Sequence, residues 1–220
     1  VDYAKQLEWK RQHVVDSLSR IGGIDIEVQS VIPCTKPYGY RSKLTPHFQG
    51  PHKGALGAIG FLKRGSSRSI VDVPNCPIAT EAINQSLATV RDYARTSWKQ
   101  KRGGTLLLRE TEEGVTTHPN NLVTQRVGTL NYQFKAGEFV QTNPFLLPRM
   151  VAHVVDQATH EGCAYLVDSY CGGGLFALAA AKRFQQCAGV EISRESVQLA
   201  EQNAEFNDVS NCSFLVGSAS

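Results

Sequence analysis

Gly172-x-Gly174-x-x-Ala177, followed by an acid seventeen residues after Gly174, Glu191, is the spacing in this chain that points most directly to chemistry. A tight turn leading into a helix needs residues without a Cβ, so that a ligand can approach the backbone and meet the amides at the helix start. A carboxylate at the end of the next strand can accept hydrogen bonds from both ribose hydroxyls of an adenosine. The two features together imply an adenosine-type cofactor. Spacing alone does not separate NAD from S-adenosylmethionine, and a turn that is only structural would look the same locally.

The elements around the turn strengthen the reading. Tyr165 to Asp168 is a short apolar strand, 175–184 an alanine-rich helix, and 187–192 another strand. Ser193 is placed to cap a helix over 194–207, with Glu195 in its first turn, and 213–216 is a third strand. Strand, helix, strand, helix, strand is the opening of a parallel doubly wound sheet. Upstream, 144–158 reads as a helix with Leu147, Val151, Val154 and Val155 apolar.

The first half has a different pattern. Residues 3–20 form an amphipathic helix that Gly22-Gly23 ends, and 78–101 a second one. Short strands are expected at 26–28, 40–44, 59–61, 70–73, 106–108 and 129–134, punctuated by glycine and proline. The fold class is therefore α/β: the incomplete start of a Rossmann-like doubly wound sheet over 138–220, preceded by a smaller α+β central domain over 1–137.

Composition narrows the class further. Of 220 residues, 41% are hydrophobic and 20% charged, which excludes wholesale disorder. No apolar run approaches the ~20 residues of a membrane helix, and the N-terminus lacks the order of a secretory signal. Net charge is +3, with the basic excess in the N-terminal half. Arg41, Lys43, Lys63, Arg64 and Arg68, interleaved with Tyr40 and Phe61, combine phosphate contact with base stacking, as RNA binding requires. A solvated basic face would share the pattern. The six cysteines form no Cys-x-x-Cys pair, and the six histidines have no partner at metal-ligand spacing, so no local metal site is expected. Reduced thiols and an intracellular setting follow.

Several segments in order resemble the uracil-5 RNA methyltransferases. These are Val167 to Phe176, Gly189-Val190-Glu191-Ile192-Ser193, Glu138 to Asn143 and Asn203; upstream, Tyr40-Arg41-Ser42-Lys43, Gly60-Phe61, Ser66 or Ser67, and Ile70 to Ile78. The likeness covers nearly the whole chain. It implies S-adenosylmethionine as cofactor, methylation of uridine carbon 5 in RNA, with tRNA favoured over rRNA, and a monomer in the cytoplasm, nucleus or an organelle.

The resemblance also implies roles. Gln141 contacts the cofactor or supports its pocket, Tyr170 lies against it, and Glu191 accepts from the ribose. Gly172 and Gly174 form the turn, and Asp168 reaches the methionine end or holds the turn. Ser218 stands where relatives carry an acid. Arg41, Lys43, Lys63 and Arg64 face RNA. Cys171 is scaffold. The family's nucleophilic cysteine, which adds to uracil carbon 6, and its glutamate base are expected downstream of Ser220, so this segment alone is expected to be inactive. Cys76 resembles the last of four cysteines that hold a [4Fe–4S] cluster in some members, so that a cluster is conceivable only in a longer parent. An NAD-binding oxidoreductase and a non-catalytic RNA-binding relative are the alternatives.

Overall fold

The structure is a computed structural model and describes residues 1–159 and 162–219. Its contacts divide the chain into two units, Val1–Pro37 and Tyr38–Ser220.

The first unit is built on helix α1, Tyr3–Arg20, which the Asp2 carboxylate caps by accepting from the Lys5 N–H. The Gly22-Gly23 pair ends it as expected. The chain then returns along the helix: Arg11 Nε donates to the Val28 carbonyl at 2.7 Å, and the Cys34 N–H donates to the Tyr3 hydroxyl at 2.8 Å. The strand expected at 26–28 is absent. Ile26 and Val28 have β propensity, but the backbone there meets a helix side chain rather than a strand edge.

In the second unit, strands β1 (Lys43–Leu44), β2 (His47–Phe48), β3 (Ile59–Leu62), β4 (Ile70–Asp72), β5 (Gly104–Thr105), β6 (Leu108–Thr111) and β7 (Gly114–Thr116) make two antiparallel sheets, in the orders β4-β3-β2-β5 and β1-β6-β7. Helix α2, Glu81–Ser97, packs on them through Ile83, Leu87 and Ala94. It is shorter than the 78–101 expected. The Thr80 hydroxyl caps its start, and Trp98 leaves helical geometry to set its ring edge-on to Phe48, with centroids 4.8 Å apart.

A buried cation lies on the inner face of α2. Arg91 donates to both oxygens of Asp72 at 2.9 Å and to the carbonyls of Ile59 and Val73. Burial would raise the Asp72 carboxyl, but the Ile59 N–H and the Arg91 and Arg95 guanidiniums together hold it below its ordinary value. A depressed folded pKa stabilises the fold above the unfolded value of ~4 and is lost as pH falls through the folded value. The melting temperature of Asp72→Asn should therefore lie below wild type at neutral pH, and the gap should close on acidification.

Strands β8 (Leu122–Val127) and β9 (Leu130–Lys135) form a hairpin. Helix α3 (Leu147–Ala158), β10 (Tyr165–Asp168), α4 (Leu175–Ala180), β11 (Gln186–Glu191), α5 (Arg194–Phe206) and β12 (Cys212–Val216) follow. The strands are parallel, in the order β10-β11-β12, as the alternation of strands and helices predicts. Residues 181–183 tighten into a 3-10 turn, so α4 stops short of the expected 184. One core contains Val123, Tyr132 and Phe134 of the hairpin, Leu147 and Val151 of α3, Leu178, Ala200 and Phe214. The hairpin, on the N-terminal side of the division expected at 137/138, thus shares its core with the parallel sheet.

Candidate functional site

The carboxyl ends of β10 and β11 lie side by side, with Asp168 in register with Gly189. The chain leaving β10 makes the turn Tyr170-Cys171-Gly172-Gly173-Gly174 and enters α4. Gly172 has φ +51° and Gly174, which begins the helix, φ +86°. Side chains at either position would be strained, which explains the residue type without any appeal to a ligand.

Glu191 closes the turn from the neighbouring strand. Its Oε2 accepts from the Gly172 N–H at 3.2 Å, and Oε1 accepts from the Ser193 N–H at 2.9 Å. One carboxylate thus ties the glycine turn to the start of α5, while the Ser193 hydroxyl caps that helix by accepting from Ser196. Each carboxylate oxygen has a further lone pair, so two hydroxyls of a ligand can still donate to it. Tyr170 (81% exposed) and Ile192 (77% exposed) follow the ends of β10 and β11. Large apolar side chains left this open at strand ends suit a flat aromatic ligand.

Asp168 ends β10. Burial raises its carboxyl above the ordinary value, against the opposing amides of Tyr170 and Ala177, and Glu191 adds repulsion. One of its oxygens, Oδ2, is buried with no hydrogen-bond partner among the described residues. Such an atom costs free energy until a donor reaches it.

Cys171 is buried. Burial first, then Asp168 and Glu191, push its thiol up to about 12. A thiol is a nucleophile only as the thiolate. Brief alkylation of the native protein at pH 8 should therefore label the exposed Cys163, and Cys171 only after unfolding; peptide mass spectrometry reads both.

The remaining expected residues lie on other elements. Gln141 is exposed on the loop after β9. That loop is held from the antiparallel part. The Ser42 N–H and hydroxyl both donate to the Thr142 carbonyl, at 2.9 and 3.1 Å. Lys43 Nζ donates to the carbonyls of Gly137 and Glu138 at 2.7 and 2.9 Å. Burial, then repulsion from Arg109 and Arg41, lower the Lys43 ammonium. Arg41 Nε donates to the Lys43 carbonyl. Lys63 and Arg64 are exposed in the turn after β3. Cys76 is buried, and Asn84 holds both its N–H and its carbonyl. No group of three or more His, Cys, Asp or Glu able to hold a metal exists among the described residues, so the residues present do not fit an iron–sulfur cluster. No described helix is long and apolar enough to cross a membrane.

Sequence reasoning missed three contributors. Ile192 carried a signal, an apolar residue directly after a strand-ending acid. Tyr132 and Arg109 carried none, because their contacts are distant in sequence.

Comparison with known proteins points one way. A family model described as tRNA (Uracil-5-)-methyltransferase matches residues 115–220. A tRNA (uracil(54)-C(5))-methyltransferase of Schizosaccharomyces pombe is 37% identical over 241 aligned residues, covering 100% of this chain and 45% of the relative. The enzyme of the same description from Saccharomyces cerevisiae is 31% identical, covering 99% and 45%. The chain thus spans about half the length of these curated relatives. Among solved structures, a Pyrococcus abyssi tRNA (uracil-54, C5)-methyltransferase in complex with S-adenosyl-L-homocysteine matches with a TM-score of 0.73 at 22% identity, over 99% of this chain and 64% of that one. At that identity the match establishes the fold.

Proposed function

We propose, with the kinship of this chain to the tRNA (uracil-5-)-methyltransferases as the premise, that the protein transfers a methyl group from S-adenosylmethionine to carbon 5 of a uridine in RNA, and that the RNA is tRNA. The observation that carries the reading is the Glu191 carboxylate, held between the Gly172 and Ser193 amides at the strand ends.

The residues present fit that cofactor. Glu191 has lone pairs for both ribose hydroxyls. Tyr170 and Ile192, exposed just after the two strand ends, offer apolar surface to an adenine. The orphaned Oδ2 of Asp168 lacks the donor that an amino-acid ammonium would supply. Gly172 and Gly174 leave the backbone open to approach. S-adenosylmethionine, when bound, supplies an electrophilic methyl group on a sulfonium. This chain's residues bind and orient it, with Gln141 reaching the site from the loop that Ser42 and Lys43 hold.

The same reading divides the labour at 137/138, with RNA surface before it and cofactor binding after it. Arg41, Lys63 and Arg64 supply phosphate contacts, and Lys43 contributes the one ammonium proton that the two carbonyls leave. Such an activity belongs in a compartment that holds tRNA: the cytoplasm, the nucleus or an organelle.

Lys63→Ala with Arg64→Ala should weaken tRNA binding at all sequences and reduce the slope of log affinity against log salt by roughly two, one for each phosphate no longer neutralised. S-adenosylhomocysteine affinity should not change. The reading itself is tested by incubating the full-length protein with radiolabelled S-adenosylmethionine and tRNA, then analysing nucleosides. Label in 5-methyluridine is expected. Tight, salt-sensitive tRNA binding without any transfer would favour a non-catalytic relative instead.

A further inference from the structure

Gly173, the middle glycine of the turn, is gripped from the far side by residues that belong to neither the turn nor the strand carrying Glu191. Asn203 of α5 is completely buried. Its Oδ1 accepts from the Gln133 N–H at 2.8 Å, and its Nδ2 donates to the Gln133 carbonyl at 2.9 Å and to the Gly173 carbonyl at 3.0 Å. The side-chain amide thus pairs with β9 as a neighbouring strand would, and passes its remaining reach to the turn.

On the other side of the same glycine lies Tyr132, the residue before Gln133 on β9. A Cβ added to Gly173 would sit 2.5 Å from the Tyr132 hydroxyl, so the tyrosine fills the space that the missing side chain leaves. Burial raises the phenol above its ordinary value. The ring is stacked on Phe134, with centroids 5.8 Å apart, and Phe134 lies 5.0 Å beneath the Arg109 guanidinium. Strand β9 is therefore a stiff backing with little freedom to move away from the turn.

We infer that Tyr132 and Asn203 are positioning residues for the cofactor: Tyr132 fills the space beside the Gly173 Cα, Asn203 holds the Gly173 carbonyl, and together they hold the Gly172 amide and Glu191 in the geometry that receives the ribose. Neither touches the ligand. The inference rests on the S-adenosylmethionine reading above. A glycine turn with two positive-φ residues is soft on its own, and a ligand that binds a soft turn must order it at a cost in affinity.

The test is calorimetric titration of S-adenosylhomocysteine into the full-length protein, with the melting temperature of each variant measured alongside. Tyr132→Phe removes only the hydroxyl that fills the space beside Gly173 and should weaken binding about threefold to tenfold as the turn gains freedom. Asn203→Ala, the second variant, should weaken it at least as much. Val127→Ala, at the turn end of the same hairpin and buried in the same core, should lower the melting temperature yet leave affinity at the wild-type value. Unchanged affinity in Tyr132→Phe overturns the inference, and so does an equal loss in Val127→Ala, which would mean general softening. Absence of binding by the wild type overturns the cofactor reading itself, and the inference with it.

Discussion

Glu191→Ala is expected to weaken S-adenosylhomocysteine binding about 30- to 100-fold while leaving the protein folded. The carboxylate is only partly buried and lies at a strand end, so its removal opens no core cavity. What disappears is the charged acceptor. Hydrogen bonds to a charged group contribute ~1.5–3 kcal/mol each, and loss of roughly 2–2.7 kcal/mol corresponds to the stated factor. A second effect acts in the same direction. The Gly172 and Ser193 amides lose their shared acceptor, and the turn is no longer tied to α5. Glu191→Gln keeps one acceptor oxygen at nearly the same shape and should fall between wild type and Glu191→Ala. Wild-type affinity in Glu191→Ala would show that the carboxylate does not receive the ribose.

Arg109→Ala carries the largest expected cost in stability, ~3–5 kcal/mol, as for other large deletions from a core. Arg109 is 0% exposed. Its Nε donates to the Ala136 carbonyl at 3.3 Å and a terminal nitrogen to the Glu138 carbonyl at 2.9 Å, and its plane covers Phe134. Truncation would leave a cavity and deprive both carbonyls of a donor. Burial first, then repulsion from Arg41, bring its pKa down to about 10, so it remains charged at neutral pH. One nitrogen, Nη1, has no partner among the described residues. The charge is thus incompletely compensated, and Arg109→Met, which keeps most of the volume and removes the charge, should cost about half as much as Arg109→Ala. Urea unfolding at pH 7 measures both. Equal losses would show that the hydrogen bonds to the loop, not packing, dominate.

The parts of this molecule that were readable from sequence are those whose cause is local. Helix α1, the run from β10 to β12 and the cap at Ser193 follow from periodicity, glycine placement and capping chemistry within a few residues. The glycine turn and Glu191 were readable for the same reason. Strands β2 and β5 have two residues each. That is too short for an alternation to register, and only their partners make them strands. Strand β8, with Thr124, Gln125 and Arg126 at its centre, was missed because its pairing with β9 rather than its own composition stabilises it. Ile26 to Val28 shows the converse: good β formers without a partner strand remain irregular.

Basic residues divide the same way. Lys43 was expected on an RNA surface, yet two of its protons go to the carbonyls of Gly137 and Glu138. Arg91 and Arg109 are buried, although nothing in their sequence neighbourhoods sets them apart from surface charges. Nothing in the composition around a lysine or arginine tells a solvent contact from a carbonyl contact nearly a hundred residues away. Tyr132 is invisible for the same reason, since Gly173 lies 41 positions further on.

A site for S-adenosylmethionine and one for NAD would share the turn at 170–174 and Glu191, and only the ligand separates them. Isothermal titration of the protein with S-adenosylhomocysteine and, separately, with NAD tells the two apart most directly. Saturable one-to-one binding of S-adenosylhomocysteine, lost in Glu191→Ala, with no heat from NAD, is the predicted result. Binding of NAD without binding of S-adenosylhomocysteine would contradict it.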